Sequence, residues 1–312
     1  MLELLQQTDY DRTKIKSSID SALQENNFYT LLPENGRILL KPNFVVPSAK
    51  EDPSCTHPEF YMAIASLLLD KGYKVGIGES PAFGSCRAAL KAHGVLKEVE
   101  SLGIEVVEFK TLHAYKGPKD EKAYQDLTIA AEIKQWDRLI NLPKIKVHQQ
   151  FMFTAACKNL YGCVVGKRKF FLHNKCKNDP TVFAKMILAN VRQAKAVLHI
   201  GDAITAMHVK GPRGGDPYAL GKIIISDNPL AHDWLVCKMI GLDPQKTPLF
   251  KVLGDEMIQD IEKKCETIIS STDFEIAQNF EQSYSTDISF SPYHILRSFY
   301  RGVKFKIKLK ST

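Results

Sequence analysis

Lys41, Asn43, Lys146, Lys158 and Asn159 have the types and positions that suit capture of an anion. A lysine ammonium is a compact point charge with three rotatable donors, and an asparagine amide adds a neutral donor beside it. Lys158 and Asn159 precede Gly162 and Gly166, glycines that let a backbone approach a bound carboxylate or phosphate. Two further residues fit proton transfer. His148 carries an imidazole that ordinarily titrates near neutrality, and Asp202 stands beside Gly201 with His208 a few residues on. Cys157, Cys163 and Cys176 offer soft ligands for a metal or an iron–sulfur cluster, with His148 or His173 completing the set. Each group has a plainer alternative: a solvated lysine whose asparagine closes a turn, a strand-end histidine held by backbone, an aspartate in turn chemistry, and buried unpaired thiols. The cysteines are separated by five and twelve residues, a spacing of no standard zinc or ferredoxin site, and no Cys-x-x-Cys occurs.

These residues are useful only if the chain brings them together. Arg37-Ile-Leu-Leu-Lys41 reads as a buried strand ended by Pro42. Thr56-His57-Pro58-Glu59 reads as a helix start, with Thr56 as the cap, and Phe60, Ile64, Leu67 and Leu68 then share one face until Gly72. Tyr73–Ile77 is the next strand, so a βαβ crossover with parallel pairing is expected. A helix over Cys86–Leu102, a strand over Ile104–Phe109 and a strand over Asp137–Leu142 continue the rhythm. Phe151–Leu160 is expected to be helical. Asp179-Pro180 starts a helix, strands follow at Ala196–Ile200 and Lys222–Ser226, and Asn228-Pro229 opens a helix that Gly241 closes. Asp227 and Asp233 read as caps or salt-bridge partners.

The expected fold is therefore α/β: a mostly parallel sheet with helices on both faces, and a C-terminal extension. Residues 1–36 form a helical lead-in, 37–254 the α/β domain, and 255–312 the extension, whose tail alternates Lys304, Lys306, Lys308 and Lys310 with apolar residues. In such sheets ligands lie beyond the carboxyl ends of the strands. Lys41-Pro42-Asn43, Gly78-Glu79-Ser80-Pro81, the Lys144–Lys146–His148 run and Gly201-Asp202 all follow expected strands.

Asn141-Leu-Pro-Lys-Ile-Lys-Val-His148 and Phe153-Thr-Ala-Ala-Cys-Lys-Asn-Leu-Tyr-Gly162 resemble the signature of the domain of unknown function 362 family. Lys41-Pro42-Asn43, Thr56-His57-Pro58, Gly78-Glu79-Ser80-Pro81, Gly201-Asp202 with Gly211-Pro212 and Gly214, and Ser226-Asp227-Asn228-Pro229 with Asp233 extend the likeness over residues 37–245. Many members carry ferredoxin-type modules that bind four-iron four-sulfur clusters, so the resemblance implies redox work. This chain has no ferredoxin cysteine spacing. A more distant similarity to the N-terminal part of lactate racemase-type proteins implies a small carboxylate.

Composition narrows the classes. At 312 residues, 44% hydrophobic and 25% charged, the chain is an ordinary globular protein rather than a disordered one. No stretch approaches the roughly 20 apolar residues of a membrane helix. Met1–Lys14 has no apolar core, so a signal peptide is not expected and a cytoplasmic location is. A net charge of +7 suits a small anionic partner but is modest for a nucleic-acid binder. Three functions compete: an enzyme using acid/base chemistry on a small carboxylate or phosphate, a metal- or cluster-dependent oxidoreductase, and a non-catalytic binding module for a partner or nucleic acid. The oligomeric state is not legible.

Overall fold

The computed structural model describes residues 1–114, 127–166, 168–176 and 179–282. Its main sheet has nine strands. Along the principal path they run β1 (Leu2–Gln6), β11 (Asp216–Ser226), β10 (Leu198–His208), β7 (Arg138–Leu142), β2 (Arg37–Pro42), β3 (Lys74–Glu79) and β4 (Glu105–Glu108). The block β10–β7–β2–β3–β4 is parallel throughout, while β11 is antiparallel to both its neighbours. β8 (Lys144–His148) joins β10 in parallel and holds β9 (Met152–Thr154) antiparallel. Two short strands, β5 (Leu112–Ala114) and β6 (Thr128–Ala130), pair separately. The four strands expected to be parallel neighbours are so, in the order β7, β2, β3, β4.

Alternation along the strands builds a core on each face. Ile38, Leu40, Ile77, Ile140, Ile200, Ile223 and Ile225 meet α1 (Arg12–Glu25), α2 (Pro58–Asp70), α3 (Cys86–Ala92) and α4 (Leu96–Ser101). Their neighbours Leu39, Leu139 and Ile224 look the other way. There α7 (Pro180–Ala194), α8 (Pro229–Met239) and α9 (Asp255–Ser271) supply Phe183, Ile187, Trp234, Leu235, Ile261 and Cys265. α7 starts as expected, with the Asp179 carboxylate accepting from the Thr181 and Val182 amides.

Several local expectations are corrected. The lead-in is not wholly helical, because β1 pairs with β11 and forms one edge of the sheet. Gly94, at φ +79°, divides the expected helix over 86–102 into α3 and α4. The cap of α2 is His57, whose Nδ1 accepts from the Glu59 amide. Thr56 instead accepts from the Asn43 amide and donates to the Leu142 carbonyl, each at 2.8 Å, tying β2 to β7. The helix expected over 151–160 is β9, then α5 (Ala156–Asn159) and a 3₁₀ turn. The strand expected to end at Ile200 continues to His208. Gly201 is there not to turn the chain but because the His232 imidazole leaves no room for a Cβ. The basic tail at 304–310 and the loop Lys116–Lys122 lie outside the described residues.

The length of β10 lets β7 and β8 follow one another along the same edge. β7 pairs at Leu198 and His199, and β8 takes over with Lys144 opposite Asp202. That second pairing is also an ion pair: Lys144 Nζ lies 2.8 Å from Asp202 Oδ2, and both side chains are buried. The Tyr10 hydroxyl donates to Asp202 Oδ1 and accepts from Lys144 Nζ, both at 2.9 Å, and the His57 amide donates to Asp202 Oδ2 at 3.0 Å. One carboxylate thus joins α2, β8, β10 and the segment before α1.

Two stability predictions follow from this packing. Asp202→Ala would leave the Lys144 charge buried alone and should cost about 3–5 kcal/mol, whereas Tyr10→Phe should cost about 1 kcal/mol. Urea titrations followed by circular dichroism measure both, and equal losses would contradict the pairing. Gly76 in β3 faces the Trp136 indole, which leaves no space for a Cβ and is itself held by the Arg37 guanidinium 4.6 Å from the ring centre. Gly76→Ala should cost about 1–3 kcal/mol through overpacking. Adding Trp136→Leu should recover part of that loss.

Candidate functional site

β8 has the sequence Lys-Ile-Lys-Val-His, and all five residues are buried. Strand alternation sends Ile145 and Val147 into the apolar core and puts Lys144, Lys146 and His148 on the other face. Lys144 is satisfied by Asp202 and Tyr10. Burial pulls its proton affinity down, but the Asp202 carboxylate and the Tyr10 hydroxyl outweigh burial, and its pKa ends above the ordinary lysine value. Burial, then the Asp202 charge, pushes the Tyr10 phenol up to about 12.

Lys146 is held differently. Its ammonium donates to Asn43 Oδ1 at 3.1 Å and to the Ser54 carbonyl at 2.6 Å, both neutral acceptors. Burial first, with Lys144 and Arg213 adding to it against Cys55 and Asp52, lowers its pKa to about 8. His148, two positions along, takes the Gln150 amide on Nδ1 at 3.2 Å.

At the end of β2, Lys41 Nζ meets Glu79 Oε2, at the end of β3, at 2.5 Å, with both side chains enclosed. The other Glu79 oxygen accepts from the Ser80 amide at 2.9 Å, and the Ser80 carbonyl accepts from Lys169 Nζ on α6 (Arg168–Lys175). The Ser80 hydroxyl takes the Gly166 amide at 2.9 Å. Gly162 lies against the Lys41–Glu79 pair so closely that any Cβ would strike both side chains. Burial, with Lys41 adding to it, lowers Lys169 to about 8 although Glu79 opposes the shift.

Lys158 stands between these groups. Lys146 is opposite Thr154 in the β8–β9 ladder, and the chain turns immediately into α5, which carries Lys158. Asp233 fixes that turn by accepting from the Ala156 amide at 2.6 Å and the Cys157 amide at 2.9 Å. The Lys158 ammonium lies 5.8 Å from the centre of the Phe183 ring. Among the described residues it has no hydrogen-bond acceptor and no carboxylate partner, and it is partly exposed. Burial, then the charges of Lys146 and Lys169, lower its pKa to about 7.

Lys146, Lys158 and Lys169 therefore lie within reach of one another's charge near the carboxyl ends of the strands, with Asn43 on Lys146 and the Lys41–Glu79 pair beside Lys169. His148 shares the β8 face with Lys146. Asn159 turns inward: its amide nitrogen donates to Asn141 Oδ1 at 2.8 Å and the Lys41 carbonyl at 3.3 Å. Asp202 is at the Lys144 end of β8, enclosed in its ion pair. The three candidate thiols are buried in apolar surroundings, Cys157 and Cys176 in one core cluster and Cys163 in another. Burial raises the Cys157 thiol well above its usual range and Cys163 to about 12. Among the described residues no three His, Cys, Asp or Glu side chains are grouped as metal ligands. Two surface grooves, one between β1 and α1 and one beside α7 and α8, lie away from the lysines.

Lys169, Glu79 and Tyr10 are the members that sequence reasoning leaves unassigned. Glu79 has a signal, since it ends a strand beside Ser80-Pro81. Lys169 is one of several lysines in a basic stretch, and nothing local distinguishes Tyr10, whose partners are 134 and 192 residues away.

Comparison with known proteins agrees with the motif order. A thylakoid-associated protein of Synechocystis sp. is 32% identical over 248 residues, covering 79% of this chain and 76% of that protein. Among solved structures, a Thermotoga maritima protein aligns with a TM-score of 0.45 at 10% identity, over 85% of this chain. The lactate racemase apoprotein from Thermoanaerobacterium thermosaccharolyticum aligns at 0.43 and 12%, over 64% of this chain. The chain spans 60% and 50% of those two structures. The profile described as Domain of unknown function (DUF362) matches residues 38–238, and with the Synechocystis relative it shows that the chain belongs to that family.

Proposed function

We propose that the protein binds a small anion, a carboxylate or a phosphate, at the carboxyl edge of its sheet. One observation carries this. Lys146, Lys158 and Lys169 have no carboxylate within ion-pair distance among the described residues, yet each lies in the field of at least one other lysine. Cations left this way either give up protons or attract an anion that restores them. Lys158, partly exposed and without an acceptor among the described residues, is the point of first contact, and Asn43 holds Lys146.

If the site supports acid/base chemistry, His148 is the residue that moves the proton, being on the same face of β8 as Lys146. Asp202 belongs to the framework, since both its oxygens are occupied by Lys144, Tyr10 and the His57 amide. The metal and cluster alternatives have less support, because the cysteine thiols are buried and separate. No helix among the described residues is long and apolar enough to cross a membrane. Seven buried cysteines, none in a disulfide, suit a reducing compartment such as the cytoplasm. Cell fractionation tests that location against the thylakoid association of the relative.

Thermal unfolding in sulfate, phosphate, lactate or citrate, against chloride at equal ionic strength, tests the anion site. A ligand that binds the folded state should raise Tm with its concentration. Lys158→Ala should remove most of that rise while shifting the unliganded Tm by no more than a degree or two, on the order expected of a partly exposed side chain. No rise beyond chloride would end the proposal.

The same lysines make stability depend on pH. Their pKa values in the folded state, about 7 for Lys158 and about 8 for Lys146, lie below the ordinary lysine value of 10.5. Between those limits the unfolded chain holds more protons than the folded one, so stability should rise with pH from neutrality to pH about 10. Saturating sulfate should flatten the slope by keeping the lysines charged, and Lys158→Met should reduce it. Urea midpoints at several pH values measure both.

A further inference from the structure

The lysines of the cluster are not equivalent as amines. Lys41 and Lys144 are fully enclosed and bound to carboxylates. Lys146 is enclosed and donates to Asn43 and Ser54, and Lys169 donates to the Ser80 carbonyl. Lys158 is partly exposed, lies over an aromatic ring, and has no acceptor among the described residues to hold its proton or direct its lone pair away from solvent. Asp233 sets the turn that carries it, but its carboxylate is occupied by backbone amides and the His232 ring. A lysine flanked by other cations and an apolar surface is the arrangement that makes an amine nucleophilic near neutral pH.

We propose that Lys158 forms an imine with the carbonyl group of a small oxo acid whose carboxylate is held by the neighbouring lysines. The inference rests on the anion site and names its substrate class. The amine nitrogen adds to the carbonyl carbon, forming a C–N bond and a carbinolamine. The carbonyl oxygen leaves as water with the two amine hydrogens, and a C=N bond remains. No oxidant or reductant is needed. The flanking ammonium groups serve both halves of the substrate: they bind its carboxylate and lower the proton affinity of the Lys158 amine that adds to its carbonyl.

The experiment is reductive trapping. The protein is incubated at pH 7.5 with pyruvate or glyoxylate and sodium cyanoborohydride, and the adducts are located by peptide mass spectrometry. Lys158 should be labelled at least tenfold faster than the mean of the other lysines, and the preference should vanish in urea. Excess sulfate should slow the labelling. Lys158→Arg, with its fold checked by circular dichroism, should lose the fast adduct. The rate should level off just above pH 7 rather than climb toward pH 10, as it does for surface lysines. Uniform labelling of all lysines would overturn the imine. If sulfate and lactate still raise Tm and Lys158 shows no preferred adduct, the imine is wrong and the anion site stands. If neither a Tm rise nor a preferred adduct is seen, both proposals fall.

Discussion

An ammonium group removed from water has to find a carboxylate, find strong neutral acceptors, or give up its proton. This fold buries lysines repeatedly near the carboxyl ends of its parallel strands, and each is accommodated in a different way. Lys144 has Asp202 and a phenol. Lys41 has Glu79, with Gly162 closing over the pair. Lys146 has an amide and a carbonyl. Lys158 has an aromatic ring and a route to solvent. Much of the neighbouring architecture is the means by which these requirements are met. The unusual length of β10 supplies Asp202 opposite β8, the loop after β2 delivers Asn43 and Ser54, and the capped turn of α5 holds Lys158 at the rim.

Electrostatics then divides these lysines into two regions with different tasks. At the Lys144 end, charge is balanced within the protein, and stacking of Tyr10 on His57 with ring centres 3.7 Å apart locks the arrangement. Such a region suits a scaffold, since its groups are already occupied. Around Lys158 the balance is deliberately incomplete, and the low proton affinities there express that shortage of negative charge. The two regions are joined through a single strand, β8, so the rigidity of the first sets the positions of the second.

The sequence carries the parallel block clearly, because each unit is announced by neighbours in the chain: Pro42 after β2, His57-Pro58 before α2, Gly72 after it, and Asp179-Pro180 before α7. It carries β8 poorly. A five-residue run with lysines at alternate positions looks solvated, and only contacts from β10, β9 and the loop after β2 make its burial affordable. Asp202 is misplaced for a related reason: Gly201-Asp202 has the composition of a turn, and what keeps it extended is pairing with Ile223 of β11 and Lys144 of β8. Lys158 and Lys146 can be suspected from their motif, but the proximity of their charges depends on the Lys146–Thr154 pairing, which no local pattern announces. Adjacency alone groups Asn159 with them, and a helical turn sends consecutive residues in different directions.

Tyr10 lies outside the stretch that the family profile recognises, which begins at residue 38, yet its hydroxyl bridges both members of the buried Lys144–Asp202 pair. α1, which supplies Ile15, Ile19 and Leu23 to the core over β2, precedes that stretch too. α9 follows it and places Ile261 and Cys265 against α8. The segment by which a relative is detected is therefore shorter than the segment that folds. An expression fragment trimmed to the recognised borders would open one core at each end and leave a charged pair without its bridging phenol, so a failure of that fragment to fold would say nothing about the competence of the intact chain.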